Sequence, residues 1–300
     1  MADGDRADFD VAPKIALMWL VQAQFAGYVL AQQKFPGLKL IPRDLATSPL
    51  EPLARGQAEF GIVSPDQMLA NVEAARRLVF IGLFMDRCPV VLIGLRGKAP
   101  ENLARLRACR IGVWPGEDTE VRAMVDAAGG DVTGVTFEPL GASLTPLLDG
   151  TLDLIEATTY NELPHLEREL GAEALVVHRP SLWDVDLAKD GLVVRADVLA
   201  AQPKLVDDVV ATVVAGWREA LHDPEGAVRA VLEADPTLDR DEQRDQLGWI
   251  FDLIDPRRPL GLPDSGAVER AVKVHRALGH AVSETDIAID AGPWERARVE

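Results

Sequence analysis

The strongest constraint on the fold is a strand–helix–strand pattern that occurs twice in the 300 residues, about 95 residues apart. The first copy starts with the strand-like residues 14–19 and the second with residues 111–114, and both segments end in tryptophan. In each copy a helix ends at a glycine, Gly56 or Gly150, shortly before the next strand. Alternating strands and helices predict a mainly parallel sheet covered by helices. Two copies therefore predict two α/β lobes, although two unrelated units of this kind would also look alike.

The segments between the two copies predict how the lobes are connected. Residues 78–95 read as two apolar strands separated by Asp86-Arg87-Cys88-Pro89, and residues 190–195 read as a strand that returns the chain. Two crossings between lobes make a hinge, and a hinge makes a cleft that closes on a ligand. The predicted boundaries are 11–95 with 191–300 for lobe 1, 96–190 for lobe 2, and 1–10 for a disordered acidic N-terminus.

The C-terminal third of the chain is predicted to be helical, because its apolar residues recur at helical spacing. Tyr28, inside the first predicted helix, is expected in the core, and Trp217 and Trp249 are expected to pack within the C-terminal helices. The helices predicted in this part are 206–221, 226–234, 242–254 and 265–278.

The charge of the chain argues against two classes of partner. Its 48 acidic and 31 basic residues give a formal net charge of −17, which disfavours nucleic acid and anionic membrane surfaces.

No segment has the roughly 18 consecutive apolar residues of a membrane span. Residues 1–10 lack the basic and apolar regions of a signal peptide. We therefore expect a cytoplasmic chain as written, and a periplasmic or other extracytoplasmic one if a leader precedes Met1.

Motifs of the common catalytic and metal sites are absent from the sequence. It has no phosphate-binding P-loop, no glycine-rich dinucleotide fingerprint, no Gly-x-Ser-x-Gly nucleophile elbow and no His-Glu-x-x-His motif. The two cysteines, Cys88 and Cys109, have no histidine or cysteine nearby at metal-ligand spacing. We therefore predict a binding protein without enzyme activity, cofactor or metal.

The candidate ligand-binding residues follow the predicted strands, because ligands of open α/β sheets bind at the carboxyl ends of strands. Two tryptophans and a tyrosine at such ends predict a site that stacks a flat ring. Hydroxyl, amide and carboxylate groups beside them would orient that ring. The predicted ligand-binding residues are Trp19, Gln24, Ser64, Asp66, Arg87, Trp114, Gly116, Ser143, Thr159, Tyr160, Asn161 and Glu162.

Four of these residues have a second interpretation. Ser64, Asp66 and Ser143 lie where helices begin, so each is equally well explained as a helix N-cap. Arg87 lies in a turn between two strands near the predicted hinge. There it would either hold an anion or only increase solubility.

Three segments resemble the NMT1/THI5-like substrate-binding proteins, which are relatives of the sulfonate, taurine and nitrate binders. Residues 16–31, ALMWLVQAQFAGYVLA, resemble the opening of that family, in which a strand ends in tryptophan before PNAQFAGYYVA. Residues 55–62, RGQAEFGI, are similar to its sGkadfGi segment, and residues 159–162 to its TYNE segment. The resemblance covers about residues 14–200, with Leu20-Val21 in place of the usual Pro-Asn.

The resemblance implies a type II periplasmic-binding-protein fold, a clamp of two α/β lobes. It implies a substrate-binding protein of an ABC-type uptake system, which we expect to be a monomer with an ABC permease and a small-molecule ligand as partners. The implied ligand resembles a vitamin precursor such as a pyrimidine, or a flavin or sulfonate. Trp19, Trp114, Tyr160, Asn161 and Glu162 match positions that approach the ligand in such proteins.

Two alternatives stay open within this resemblance. The family includes a fungal enzyme branch that makes the thiamine pyrimidine from its own histidine and bound pyridoxal phosphate. That branch carries a Cys-Cys-Cys-Phe-Cys motif, which this chain lacks. The other alternative is a cytoplasmic ligand sensor built on the same clamp, which the absence of a helix-turn-helix segment before the clamp disfavours.

Overall fold

The computed structural model of the protein describes residues 12–35 and 37–297. The N-terminal segment 1–10, predicted to be disordered, lies outside these residues. Within the described ranges eleven strands form two sheets. The strands are β1 Lys14–Ala16, β2 Lys39–Ile41, β3 Phe60–Ile62, β4 Leu78–Met85, β5 Val90–Leu95, β6 Arg110–Val113, β7 Thr136–Pro139, β8 Leu154–Thr158, β9 Leu175–His178, β10 Lys189–Arg195 and β11 Ala288–Ile289.

Helices cover both sheets, and the longest ones lie in the C-terminal part, as the helical spacing predicted. The helices are α1 Ala26–Lys34, α2 Glu51–Ala54, α3 Pro65–Ala70, α4 Val72–Ala75, α5 Thr119–Ala127, α6 Thr145–Leu148, α7 Glu162–Leu170, α8 Ala196–Ala201, α9 Pro203–His222, α10 Pro224–Ala234, α11 Arg240–Leu253, α12 Ser265–Ala277 and α13 Gly292–Ala297. In the part of the chain that the structure describes, none of these helices is both long enough and apolar enough to cross a membrane.

The two sheets confirm the predicted two-lobed α/β fold with mainly parallel sheets. The first has the strand order β11-β4-β10-β3-β1-β2 and the second has the order β7-β6-β8-β5-β9. In the first sheet β1 lies parallel between β2 and β3, and in the second β6 lies parallel between β7 and β8. The repeated sequence pattern therefore corresponds to two equivalent sheet halves. We call the first sheet with its helices lobe 1 and the second sheet with its helices lobe 2.

The strands that connect the lobes pair differently from the sequence analysis. Val90–Leu95, placed there in lobe 1, pairs antiparallel with β8 and β9 inside the second sheet. The chain therefore changes sheets between Met85 and Val90, not near Leu95. It returns between His178 and Lys189, and β10 then pairs antiparallel with β3 and β4. The sequence did not distinguish these pairings, because a continuous apolar strand satisfies the interior of either sheet.

The core of lobe 1 depends on a close approach of α1 and α9. A Cβ atom at Gly216 would lie 2.1 Å from the carbonyl oxygen of Gly27, so the two helices meet at glycines. Trp217 stacks on Phe84 at 5.9 Å between ring centroids and meets Tyr28 edge to face. Tyr28 and Trp217 are fully buried, as predicted. The prediction for Trp249 is wrong, because its side chain is 50% exposed on the outer face of α11.

Candidate functional site

A cavity lies between the two lobes, with about 440 Å³ of empty space including its mouth. Both lobes contribute to its wall, and so do the ends of the two connections between them. The cavity lies where the carboxyl ends of β1, β6 and β8 meet. The residues that line it are Met18, Trp19, Gln22, Gln24, Pro89, Val90, Trp114, Glu117, Thr158, Tyr160, Asn161, Glu162, Lys189 and Asp190.

Two tryptophans meet across the cavity, one from each lobe. The rings of Trp19 and Trp114 contact edge to face, with centroids 5.3 Å apart and planes at 66°. Trp114 directly follows β6, whereas β1 ends at Ala16, three residues before Trp19. The predicted strand 14–19 is thus shorter than expected. Beyond β1, the guanidinium of Arg43, from the segment after β2, donates to the Met18 carbonyl at 3.2 Å.

A chain of three glutamine amides leads from α11 to a buried carboxylate of lobe 1. The amide of Gln246 donates to Gln22 at 3.2 Å, and that of Gln22 donates to Gln24 at 3.1 Å. Gln24 Nε2 then donates to Asp190 Oδ1 at 2.9 Å. Because every amide donates in the same direction, the chain of hydrogen bonds ends on an acceptor, the Oδ1 atom of Asp190.

Asp190 is the most unusual residue of the cavity wall. Its side chain is fully buried, and its backbone has the left-handed φ of 53°, which few residues other than glycine, asparagine and aspartate adopt. Burial raises the pKa of Asp190 to about 7, although the hydrogen bond from Gln24 opposes the shift. Its second oxygen, Oδ2, has no hydrogen-bond partner among the residues that the structure describes.

Next to Asp190, Lys189 forms a buried ion-pair cluster that joins the lobes. Lys189 Nζ lies 2.9 Å from Asp66 Oδ2, from α3 of lobe 1, and is also paired with Glu120, from α5 of lobe 2. Burial lowers the pKa of Lys189, but the two carboxylates outweigh it and hold that pKa well above its usual value. Burial raises the pKa of Glu120 to about 7 against the opposing effect of Lys189. The ammonium of Lys189 therefore stays charged, and its charge is balanced by Asp66 and Glu120.

A second buried ion pair, between Arg43 and Glu117, joins the loops after β2 and β6. The Arg43 guanidinium also donates to the carbonyls of Thr47 at 3.0 Å and Pro115 at 2.9 Å. Arg43 and Glu117 are each 5% exposed, so water does little to solvate either charge. This arrangement joins the two lobes, and we call Arg43 with Glu117 the interlobe latch.

The lobe 2 wall is formed by the segment that begins α7. Glu162 Oε2 accepts hydrogen bonds from the backbone N–H and the hydroxyl of Thr158, both at 2.8 Å, and its Oε1 accepts from Asn161 at 3.0 Å. Burial raises the pKa of Glu162 while these hydrogen bonds oppose the shift. Tyr160 is buried and packs against the core of lobe 1, so this segment contacts both lobes.

The structure brings half of the predicted ligand-binding residues to the cavity, and their part in binding stays a prediction. These are Trp19, Gln24, Trp114, Tyr160, Asn161 and Glu162. The other half lies elsewhere in the described residues, for reasons that are visible in each case.

Ser64 and Asp66 are buried at the start of α3. The backbone N–H of Ser64 donates to the Gln67 side chain at 2.9 Å, and Asp66 is committed to Lys189. Arg87 is exposed on the crossing between the sheets. None of the three lines the cavity wall described above. The N-cap interpretation fits the position of Ser64.

The remaining three predicted residues lie in loops and do not line the cavity wall described above. Gly116 is exposed and has the left-handed φ of 81°, so it serves the turn after Trp114. The hydroxyl of Ser143 is exposed and donates to Thr145 at 3.0 Å at the start of α6. Thr159 uses its backbone N–H to donate to the carbonyl of Pro89 at 2.9 Å.

The sequence analysis missed the charged residues that close the cavity: Arg43, Glu117, Glu120, Lys189 and Asp190. Arg43 and Glu117 follow predicted strands, so the rule that selected Trp19 and Trp114 would also have selected them. Lys189 and Asp190 begin a strand, which that rule overlooks. Arg43 contacts Glu117 across 74 residues of chain, Lys189 contacts Asp66 across 123, and Asp190 contacts Gln24 across 166.

Two α/β lobes joined by two crossings, with a cavity lined from both sides, are the architecture of the periplasmic binding proteins. The chain belongs to the NMT1/THI5-like family, whose model matches residues 22–227. This confirms the resemblance that the three sequence segments indicated. No curated protein sequence matches the chain.

Several solved structures share this fold. The alkanesulfonate-binding protein SsuA from Xanthomonas axonopodis pv. citri, bound to MOPS, has a TM-score of 0.67 and 14% identity, covering 93% of this chain and 98% of that chain. The periplasmic nitrate-binding protein NrtA from Synechocystis PCC 6803 has a TM-score of 0.74 and 10% identity, covering 97% and 89%. The zinc-bound ligand-binding component of an ABC-type import system from Staphylococcus aureus has a TM-score of 0.73 and 11% identity, covering 96% and 99%. At these identities the similarity shows the fold alone.

Proposed function

We propose that the chain is the ligand-binding component of an ABC-type import system and holds a small heteroaromatic molecule, such as a pyrimidine, between its lobes. The observation that carries the proposal is the pair of Trp19 and Trp114, which meet across the cavity from opposite lobes. A flat ring that lies against these two rings contacts both lobes at once and so favours the closed clamp. The family membership and the import components among the structural neighbours support the same role.

Aromatic stacking supplies the binding energy in this proposal, and polar groups supply the orientation. Stacking of a base on an aromatic side chain contributes about 1–3 kcal/mol per ring. Tyr160 adds a third ring, and Asn161 and Asp190 lie at the same wall. A ligand shifts the equilibrium between open and closed lobes only by its higher affinity for the closed state. The rings that meet only on closure provide that difference.

A zinc ligand, as in the Staphylococcus aureus neighbour, has no support in the described residues. No group of three histidine, cysteine, aspartate or glutamate side chains within 12–35 and 37–297 is placed to hold a metal ion. Import also requires a permease partner and a location outside the cytoplasmic membrane, and both are part of the proposal. We propose that the chain acts as a monomer, since one chain supplies both lobes of the clamp.

The test is a thermal-shift screen of pyrimidines, flavins, thiamine intermediates and alkyl sulfonates. A ligand present at 100 times its dissociation constant adds about 2.7 kcal/mol to the free energy of unfolding, which gives a clear rise in the melting temperature. Each compound that raises the melting temperature is then incubated with the protein and recovered. Unchanged compound supports a binding protein, whereas turnover or the absence of any stabilising heteroaromatic compound contradicts the proposal.

A further inference from the structure

The charges around the cavity have the wrong sign for an anionic ligand. Three acidic residues, Glu117, Glu162 and Asp190, line its wall, and Lys189 is the one cation among the described residues that do so. The ammonium of Lys189 is paired with Asp66 and Glu120. The cavity thus offers an incoming anion no cationic side chain that is free to pair with it.

Two of the three acidic residues are themselves engaged. Glu117 is paired with Arg43 in the interlobe latch, and Glu162 accepts three hydrogen bonds from Thr158 and Asn161. Asp190 differs from both, because one of its oxygens accepts from Gln24 and the other has no hydrogen-bond partner in the described part of the chain. Its side chain is fully buried and lines the cavity. An unpaired carboxylate oxygen in such a place requires a hydrogen-bond donor.

A second unpartnered polar atom belongs to the same wall. The indole N–H of Trp114 has no acceptor among residues 12–35 and 37–297, although Trp114 is only 5% exposed. Beside the faces of its aromatic rings, the cavity wall therefore includes an acceptor oxygen and a donor N–H that have no partner in the described residues. Aromatic rings also favour a cation, since their faces carry a partial negative charge.

We propose, as an extension of the proposed binding function, that the cavity selects an aromatic ligand bearing a cationic amine or amidine group, which donates to Asp190 Oδ2. The aromatic part of the ligand lies against Trp19 and Trp114, and an acceptor atom of the ligand receives the Trp114 indole N–H. This ligand class is opposite in charge to the sulfonate and nitrate bound by the named structural neighbours.

The difference in charge decides between the two classes. A sulfonate in this cavity would lie beside Asp190 and Glu162, with no cationic side chain of the described wall free to pair with it. Two like charges close together in a poorly hydrated site repel strongly, because the protein interior screens them far less than water does. An amidinium instead donates its N–H groups to Asp190 Oδ2, an acceptor that has no partner in the described residues.

The experiment compares three probes of nearly equal size: benzamidine, benzamide and benzenesulfonate. They carry a cationic, a neutral and an anionic group on the same ring, so that ring stacking is held constant. Affinity is measured by isothermal titration calorimetry and by the change in tryptophan fluorescence at pH 8, above the pKa of about 7 of Asp190, so that this carboxyl is mostly ionised. We expect benzamidine to bind at least about tenfold more tightly than benzenesulfonate, which corresponds to about 1.4 kcal/mol, with benzamide between them.

Asp190→Asn tests the role of the carboxylate, and asparagine tolerates the left-handed backbone at this position. We expect this variant to lose the preference for benzamidine over benzamide. Asp252→Asn makes the same change at an exposed position of α11 and is expected to keep it. Circular dichroism and the melting temperature establish that both variants are folded, and the ranking of the three probes on the unmodified chain does not depend on either variant.

The outcomes separate this inference from the proposed function. Binding of benzenesulfonate as tight as that of benzamidine, or an unchanged preference in Asp190→Asn, overturns the inference and leaves a heteroaromatic-binding function standing. If none of the probes binds at millimolar concentration while the screen yields a neutral or anionic ligand, the inference again fails alone. If the screen also yields no ligand, both fail.

Discussion

The interlobe latch predicts that removing one side chain outside the cavity wall opens the clamp. Arg43 is 5% exposed, is paired with Glu117, and donates to the carbonyls of Met18, Thr47 and Pro115. Arg43→Met leaves the carboxylate of Glu117 buried without its counter-charge and removes these donors. Loss of one partner of a buried ion pair costs about 3–5 kcal/mol when the other stays buried. Opening of the lobes avoids that cost, because water then reaches Glu117.

We therefore expect Arg43→Met to shift the equilibrium toward the open clamp by up to about 3 kcal/mol, or a factor of about 100. Small-angle X-ray scattering without ligand should show a larger radius of gyration than for the unmodified chain. The affinity for any ligand that requires the closed state should fall by up to the same factor, because it depends on the fraction of closed protein. Arg43 does not line the cavity in the described structure, so a direct loss of ligand contact does not explain such a result.

The control is Arg110→Met, which removes an arginine from the exposed ion pair with Glu138 in lobe 2. Exposed pairs contribute about 0–1 kcal/mol, so both measurements should stay unchanged. If Arg43→Met has the same radius of gyration and the same ligand affinity as Arg110→Met, Arg43 does not hold the lobes together and the reasoning is refuted.

Three further predictions concern the rings, the helix contact and the buried carboxylate. Trp19→Ala should weaken binding of a heteroaromatic ligand by about 1–3 kcal/mol in calorimetry, whereas Trp249→Ala, at an exposed ring, should not; a loss of stability with unchanged affinity would place Trp19 in the core instead. Gly216→Ala should lower the free energy of unfolding in urea by at least about 1–3 kcal/mol, because its Cβ would overlap the Gly27 carbonyl. Gly248→Ala meets nothing within 4 Å and should raise it by about 0.5–1 kcal/mol; similar values for the two would contradict the packing argument. The pKa of Asp190 is raised from an ordinary value of 3.8 to about 7. Between these two pH values the Asp190 carboxyl is therefore protonated in the folded chain and ionised in the unfolded chain. Its contribution to stability is therefore lost as pH rises from about 4 to 7, so urea unfolding should show a smaller decline with pH for Asp190→Asn than for the unmodified chain; equal declines would refute the assignment.

The parts of the fold that were predictable from the sequence are those with a strong local signal. The alternation of strands and helices, the paired tryptophans and the helical spacing beyond residue 196 each depend on neighbouring residues. The pairing of β5 was not predictable, since Val90–Leu95 is apolar along its length and carries no mark of the sheet that it joins. The exposure of Trp249 was missed for a similar reason: an aromatic residue on an amphipathic helix suggests burial, but the contacts of α11 decide it.

The residues of the candidate site likewise fall into those that the sequence marks locally and those that only the fold brings together. Trp19, Trp114 and Tyr160 stood out because such residues are rare in this chain and follow strands. The charged residues did not stand out, because 48 acidic side chains make any single one uninformative. Only the fold shows that Lys189 reaches Asp66 and Glu120, and that Asp190 has an oxygen without a partner.

The latch and the unpaired carboxylate act on the same equilibrium. Closure brings Glu117 and Glu162 of lobe 2 toward Asp190 of lobe 1, so it concentrates negative charge at the cavity. The pairs Arg43–Glu117 and Lys189–Glu120 offset part of that repulsion, and they form only when the lobes meet. Oδ2 of Asp190 has no hydrogen-bond partner in the described residues while the lobes are in contact, whereas we expect water to reach it when the lobes separate. A cationic ligand therefore gains its largest advantage on closure, which is the difference in affinity that a clamp needs in order to respond to its ligand.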